Sequence, residues 1–131
     1  MKKGMQKEFI VIKGDKFTIE WYYDDRGKST VFEYFEELDS DRQGNAFKLF
    51  RLMANMGKIH NIEKFRNEED KIFTFKPKPD RFLCFFYKDS KIIITNAFEK
   101  KCTKMPATEK QKALRAMADY IKRYREGTYY D

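Results

Sequence analysis

The chain has 131 residues, 37% of them charged, with 13 Phe, eight Tyr and one Trp, so it carries apolar bulk for one core and enough charge to cover it. Its two cysteines and single histidine lack the paired spacing of a structural zinc site, and no run approaches the roughly 20 apolar residues that span a bilayer. The opening Met1-Lys2-Lys3-Gly4 leads into charge and not into an apolar signal core, so the expectation is a single cytoplasmic domain over residues 1–131 with no membrane partner.

In chain order, residues 8–13 and 16–23 are rich in Ile, Val, Thr and aromatics and flank Gly14-Asp15, a pair suited to a two-residue hairpin turn. After turn residues at 24–29, Thr30-Val31-Phe32-Glu33 offers a capping box for a short helix that buries Val31, Phe35 and Leu38. Ser40 with Gln43 caps a second helix, whose apolar stripe is Ala46, Phe47, Phe50, Met53 and Ala54 and whose stop is Gly57. Residues 58–70 are polar apart from Ile59, Ile62 and Phe65, which predicts a loop with at most one short strand.

Residues 71–76, 81–88 and 91–98 then form an antiparallel meander, punctuated by Pro77, Pro79-Asp80 and Asp89-Ser90. Proline cannot donate to a ladder, so Lys76-Pro77-Lys78-Pro79-Asp80 reads as a stiff extended connector with Lys76 and Lys78 on one face. A terminal helix starts either at Pro106 or at a Thr108/Gln111 capping box, and Leu114, Met117, Ala118, Ile121 and Tyr124 recur at helical spacing. Gly127 ends it, and residues 128–131 are expected to fray. The predicted class is α/β (α+β): an antiparallel sheet with an N-terminal hairpin, a helix pair and a C-terminal helix.

Charge is unevenly distributed. Residues 15–41 hold nine acidic against three basic side chains, and residues 71–104 hold nine basic against three acidic. A basic segment of that kind attracts phosphate polyanions or is simply a solvated lysine surface. Cys84 alternates with apolar neighbours and reads as core. Cys102 has no companion for nucleophilic catalysis, and the two thiols fit either a disulfide or, more in keeping with a signal-free chain, two reduced residues.

The motifs narrow the choice. Asp80-Arg81-Phe82-Leu83-Cys84-Phe85-Phe86 resembles the arginine-led central strand of RelE/HigB-type toxins of bacterial type II toxin–antitoxin systems, and Ile92–Lys101 followed by Lys104-Met105-Pro106 resembles that family's strand ending in Phe-x-Lys-Lys before a proline-started helix. Glu33–Leu38 and the helix ending at Gly57 are similar to the family's helix pair, so the resemblance runs from about Thr18 to Tyr124. Where many relatives have Glu-Leu-Arg, this chain has Thr74-Phe75-Lys76, which replaces a planar bidentate fork by a flexible point charge.

The resemblance to the HigB and phage-derived host-killing branch implies a ribosome-dependent mRNA endonuclease that needs no metal or other cofactor. It also implies silencing by an antitoxin, expected to be a small helix-turn-helix protein. Cutting RNA through its 2′-hydroxyl requires a phosphate clamp, a base, and stabilisation of the developing charge. Arg81 is the expected clamp, because a guanidinium stays charged and offers paired donors; its structural alternative is an ion pair with Asp80 or Glu99. Lys76 and Lys78 are the expected cationic pair, one losing its proton more readily because the other crowds it. Lys100 and Lys101 are expected to contact RNA phosphates, and Tyr87 or Phe98 to stack a base, although aromatics in such strands are more often core. Asn96 has no clear assignment, and His60 is a loop histidine outside these motifs. Two other readings stay open: a ParE-like inhibitor of DNA gyrase, and a non-catalytic phage remnant that binds RNA or protein.

Overall fold

The computed structural model describes residues 9–101 and 104–130; Glu8, Cys102 and Asp131 lie outside them. The elements are β1 (Ile10–Lys13), β2 (Thr18–Trp21), α1 (Thr30–Glu36), α2 (Ser40–Met56), β3 (Phe65–Asn67), β4 (Phe73–Phe75), β5 (Asp80–Tyr87), β6 (Lys91–Glu99) and α3 (Ala107–Glu126). They build a six-stranded sheet in the order β1-β2-β6-β5-β4-β3, with the helix pair on one face and α3 on the other. The expected hairpin, helix pair, meander and terminal helix are all present.

The expected antiparallel sheet contains one parallel seam. Strand β2 pairs with β6 in parallel, from Thr18 with Lys91 to Trp21 with Ile94, while the other four ladders are antiparallel. The seam exists because the chain leaves β2, forms the helices and the meander, and only then returns beside β2, a crossover that parallel neighbours require. It places β5 and β6 centrally, covered on both faces, which is why Leu83, Cys84 and Phe85 and Ile92, Ile93 and Ile94 are buried without alternation.

The hairpin turn is longer than two residues. Lys13 pairs with Thr18, and the Gly14 N–H donates to the Phe17 carbonyl at 2.9 Å. Gly14 is needed for proximity: a Cβ there would stand 2.5 Å from the Ala54 carbonyl oxygen, which also accepts from the N–H groups of Lys16 and Phe17. Both helix caps sit one residue earlier than predicted, with Ser29 accepting from the Phe32 N–H and Asp39 from the Arg42 N–H. Gln43 instead donates its amide to the Phe35 carbonyl and so ties α2 to the end of α1. The helix pair closes over the sheet through rings, with Phe50 edge-on to Trp21, Phe75 and Phe82.

On the opposite face, α3 has Pro106 at its cap position and buries Ala113, Ala116 and Tyr120. The predicted stripe is therefore rotated: Leu114, Met117, Ile121 and Tyr124 flank the contact, and Ala118 is exposed. Small alanines let the helix approach until Tyr120 meets Phe85 and Tyr87.

The tail after Gly127 does not fray as far as Tyr130. Tyr129 stacks on Tyr23 with centroids 4.3 Å apart, its hydroxyl accepts from the Tyr23 N–H, and its carbonyl accepts from the Tyr23 hydroxyl. The Tyr130 hydroxyl donates to Glu20, whose other oxygen accepts from Lys91. Replacing Tyr129 with Ala is expected to cost about 3–5 kcal/mol, the range for emptying a buried aromatic site. Urea denaturation checks this: the midpoint falls if the tail is part of the core and stays put if it is loose.

Candidate functional site

Successive strand residues point to opposite faces, and at the start of β5 this separates two opposite charges. Asp80 turns toward the helix pair, where it is wholly buried and accepts from Arg42 Nε at 2.9 Å, from Arg42 Nη2 at 2.6 Å and from the Tyr34 hydroxyl. Arg42 stands in the first turn of α2, aimed by the Asp39 cap, and its Nη2 also lies 3.7 Å from Glu99. Burial, and then the hydrogen bond to Asp80, hold the Tyr34 phenol above its ordinary range.

Arg81 turns the other way. The two carboxylates that would have neutralised it, Asp80 and Glu99, are both engaged by Arg42. The residue is 6% exposed, and its Nη1 donates to the Asp80 backbone carbonyl at 3.1 Å. Among the described residues, no carboxylate comes close enough to form an ion pair with it. Burial lowers its proton affinity from the ordinary value, although a guanidinium keeps its charge.

The hollow above Arg81 has a volume of ≈ 270 Å³ and draws on four strands and their flanks. Arg66 stands on β3, paired with Thr74 of β4. Lys76 follows β4, and Phe98 of β6 lies directly across the ladder from Arg81. Lys100 is held there because its N–H donates to the Pro79 carbonyl, and Lys104 and Met105 close the side toward α3. Five cationic side chains face one carboxylate, Glu68, which accepts from the Thr74 hydroxyl at 2.9 Å. Burial, followed by the charge of Arg81, lowers the pKa of Lys76, whose ammonium donates to the Ile62 carbonyl at 3.0 Å. The sequence expectation made Lys78 the crowding cation; the causes here are burial first and then Arg81, with Arg66 and Lys100 adding to it.

Residues 33–118 match the family described as Phage derived protein Gp49-like (DUF891). The chain belongs to this family. The match runs from α1 into α3 and contains every residue that lines the hollow. The Gp49-like family is RelE/HigB-like, so a toxin-like, phage-derived parentage agrees with the sequence resemblance. No curated protein matches the chain. Among the described residues of this Gp49-like protein, no helix is long and apolar enough to cross a membrane.

Of the predicted site residues, the Gp49-like fold brings Arg81, Lys76 and Lys100 together with Phe98. Lys78 is absent from the Arg81 hollow and meets Lys76 in an adjoining one: β4 ends at Phe75, Lys78 lies in a turn, and its 68%-exposed side chain sits 3.7 Å from Glu63. Lys101 is exposed outside the hollow. Tyr87 lies at the far end of β5, roughly 20 Å along the strand from Arg81, packed on Tyr120 and Tyr124. Asn96 docks α3 by donating to Glu109, His60 is exposed outside the hollow, and burial pushes the Cys84 thiol up, away from a reactive thiolate. Sequence reasoning missed Arg66, Glu68, Lys104 and Met105. A period-two signal was available, since Arg66 and Glu68 flank Asn67 and share one side of an extended edge.

Replacing Arg81 with Gln removes a cation that disfavours the Lys76 ammonium, so the Lys76 pKa is expected to rise while burial still keeps it below the ordinary value. Titration of the lysine side-chain nitrogen by heteronuclear NMR checks this, and an unchanged Lys76 would show that the two groups do not share a site.

Proposed function

We propose that this Gp49-like protein is a toxin of the HigB type, a ribosome-dependent mRNA endonuclease whose basic hollow holds the scissile phosphate. The observation that carries the reading is Arg81: a buried arginine with no ion pair to a carboxylate among the described residues, lining a hollow with five cationic side chains and one carboxylate. A phosphate would supply the missing counter-charge, and a planar fork suits two of its non-bridging oxygens.

In this reading the 2′-oxygen attacks phosphorus, the P–O5′ bond breaks, and a 2′,3′-cyclic phosphate and a 5′-hydroxyl result. Arg81 binds the phosphate, and Arg66 and Lys100 stabilise the charge that grows on its oxygens. Lys76 in its neutral form takes the 2′-hydroxyl proton, a role that its lowered pKa supports. A neighbouring ammonium returns a proton to the leaving 5′-oxygen. Phe98, across from Arg81, stacks a base of the bound strand. The ribosome supplies the substrate in an extended, in-line conformation, the protein acts in the cytoplasm, and an acidic antitoxin, expected to be a helix-turn-helix protein, silences it.

The test is to induce the chain and map transcript ends with and without translation. Cuts in codon register that vanish when translation is blocked are expected, and Arg81→Ala should reduce them by on the order of 10²–10³-fold, as for loss of one transition-state donor. Cuts that persist without ribosomes would contradict the mechanism. Growth arrest with intact transcripts and trapped gyrase would move the chain to the gyrase-inhibitor class.

A further inference from the structure

Beside the Arg81 hollow lies a second one, of ≈ 320 Å³, and the two share Lys76 as a common wall. The bond from the Lys76 ammonium to the Ile62 carbonyl fixes that wall between them. On its far side the lining comes from different elements: Lys48 projects from α2, Lys64 directly precedes β3, and Lys78 and Pro77 follow Lys76. Four lysines there face one carboxylate, Glu63, which is itself engaged by Lys78. The Arg81 site uses neither Lys48 nor Lys64.

Two adjoining cationic hollows divided by one ammonium suit an anion that repeats along a flexible chain, since a lone phosphate fills only one of them. Phe98 offers an aromatic face in the first hollow and Pro77 a smaller apolar contact in the second, so a basic track with one stacking ring runs across both, as suits single-stranded nucleic acid. We propose that the second hollow is a subsite for a flanking phosphate of single-stranded RNA, so that the strand is gripped on both sides of Lys76. This rests on the reading of the Arg81 hollow as a phosphate site.

The test measures binding of two uncleavable probes at low salt by fluorescence anisotropy: a 2′-O-methyl octanucleotide, and a 2′-O-methyl dinucleotide with one internal phosphate. Joint replacement Lys48→Ala and Lys64→Ala should weaken the octanucleotide by about tenfold or more and reduce its log–log salt slope by about 0.7, the value for one lost phosphate contact. The dinucleotide should be unaffected, the charge-preserving pair Lys48→Arg and Lys64→Arg should bind the octanucleotide like the parent, and Arg81→Ala should weaken both probes. Unchanged octanucleotide binding in the double alanine variant overturns the subsite, while a weakened dinucleotide in Arg81→Ala would leave the Arg81 reading standing. Intact binding of both probes in Arg81→Ala overturns the reading and the subsite together. A double alanine variant that loses poly-glutamate but keeps the octanucleotide would assign the hollow to an acidic protein and overturn the proposal.

Discussion

The site depends on one buried ion pair that is not itself in the hollow. Asp80 and Arg81 are neighbours in sequence, and in a loop they would neutralise each other. As the first residues of β5 they face opposite sides of the sheet, and Arg42 and Tyr34 claim the carboxylate from the helix-pair side. A buried carboxylate without such partners would be severely penalised, so the clamp secures both the docking of α2 and the direction in which Arg81 must turn. That Arg81 forms no ion pair among the described residues is a consequence of packing on the far side of the sheet.

This division of labour makes sense of the two surfaces. The helix pair presses Phe50 into an aromatic layer with Trp21, Phe75 and Phe82 of the sheet, which packs β2, β4 and β5 under α2. The other face is closed by α3 and, beside the start of that helix, left open where the cations gather. Rigid strands hold Arg66, Arg81 and Phe98, and short backbone bonds hold Lys76 and Lys100 at the strand ends. Such a frame favours charge stabilisation with little reorganisation, which is what a phosphoryl-type transition state needs.

Much of this was legible in the sequence, because the signals involved are local. The meander announced itself by apolar runs between Pro77, Pro79 and Asp89-Ser90, and α2 by its stripe and its glycine stop. What the sequence hid depends on distant partners. Tyr129 looked like the end of a frayed tail until Tyr23, more than one hundred positions earlier, supplied its stacking face and hydrogen bonds. The parallel seam between β2 and β6 has no local signature, and β3 is so short and polar that its Arg66 read as loop. Lys78 shares a hollow with Lys76 but not the one above Arg81, because β4 ends at Phe75 and strand alternation does not carry through Pro77. Arg81 was identifiable from its motif, but its lack of an ion pair among the described residues was not, since Arg42 on another element takes Asp80.

The most direct test of the account follows the guanidinium resonances of Arg81 and Arg42 by NMR as a non-cleavable RNA trinucleotide is added. Arg81 should shift in a saturable way while Arg42, held by Asp80, stays still. A silent Arg81, or a shift confined to Arg42, would contradict the claim that the charge left over from the Asp80 clamp is the one that meets the phosphate.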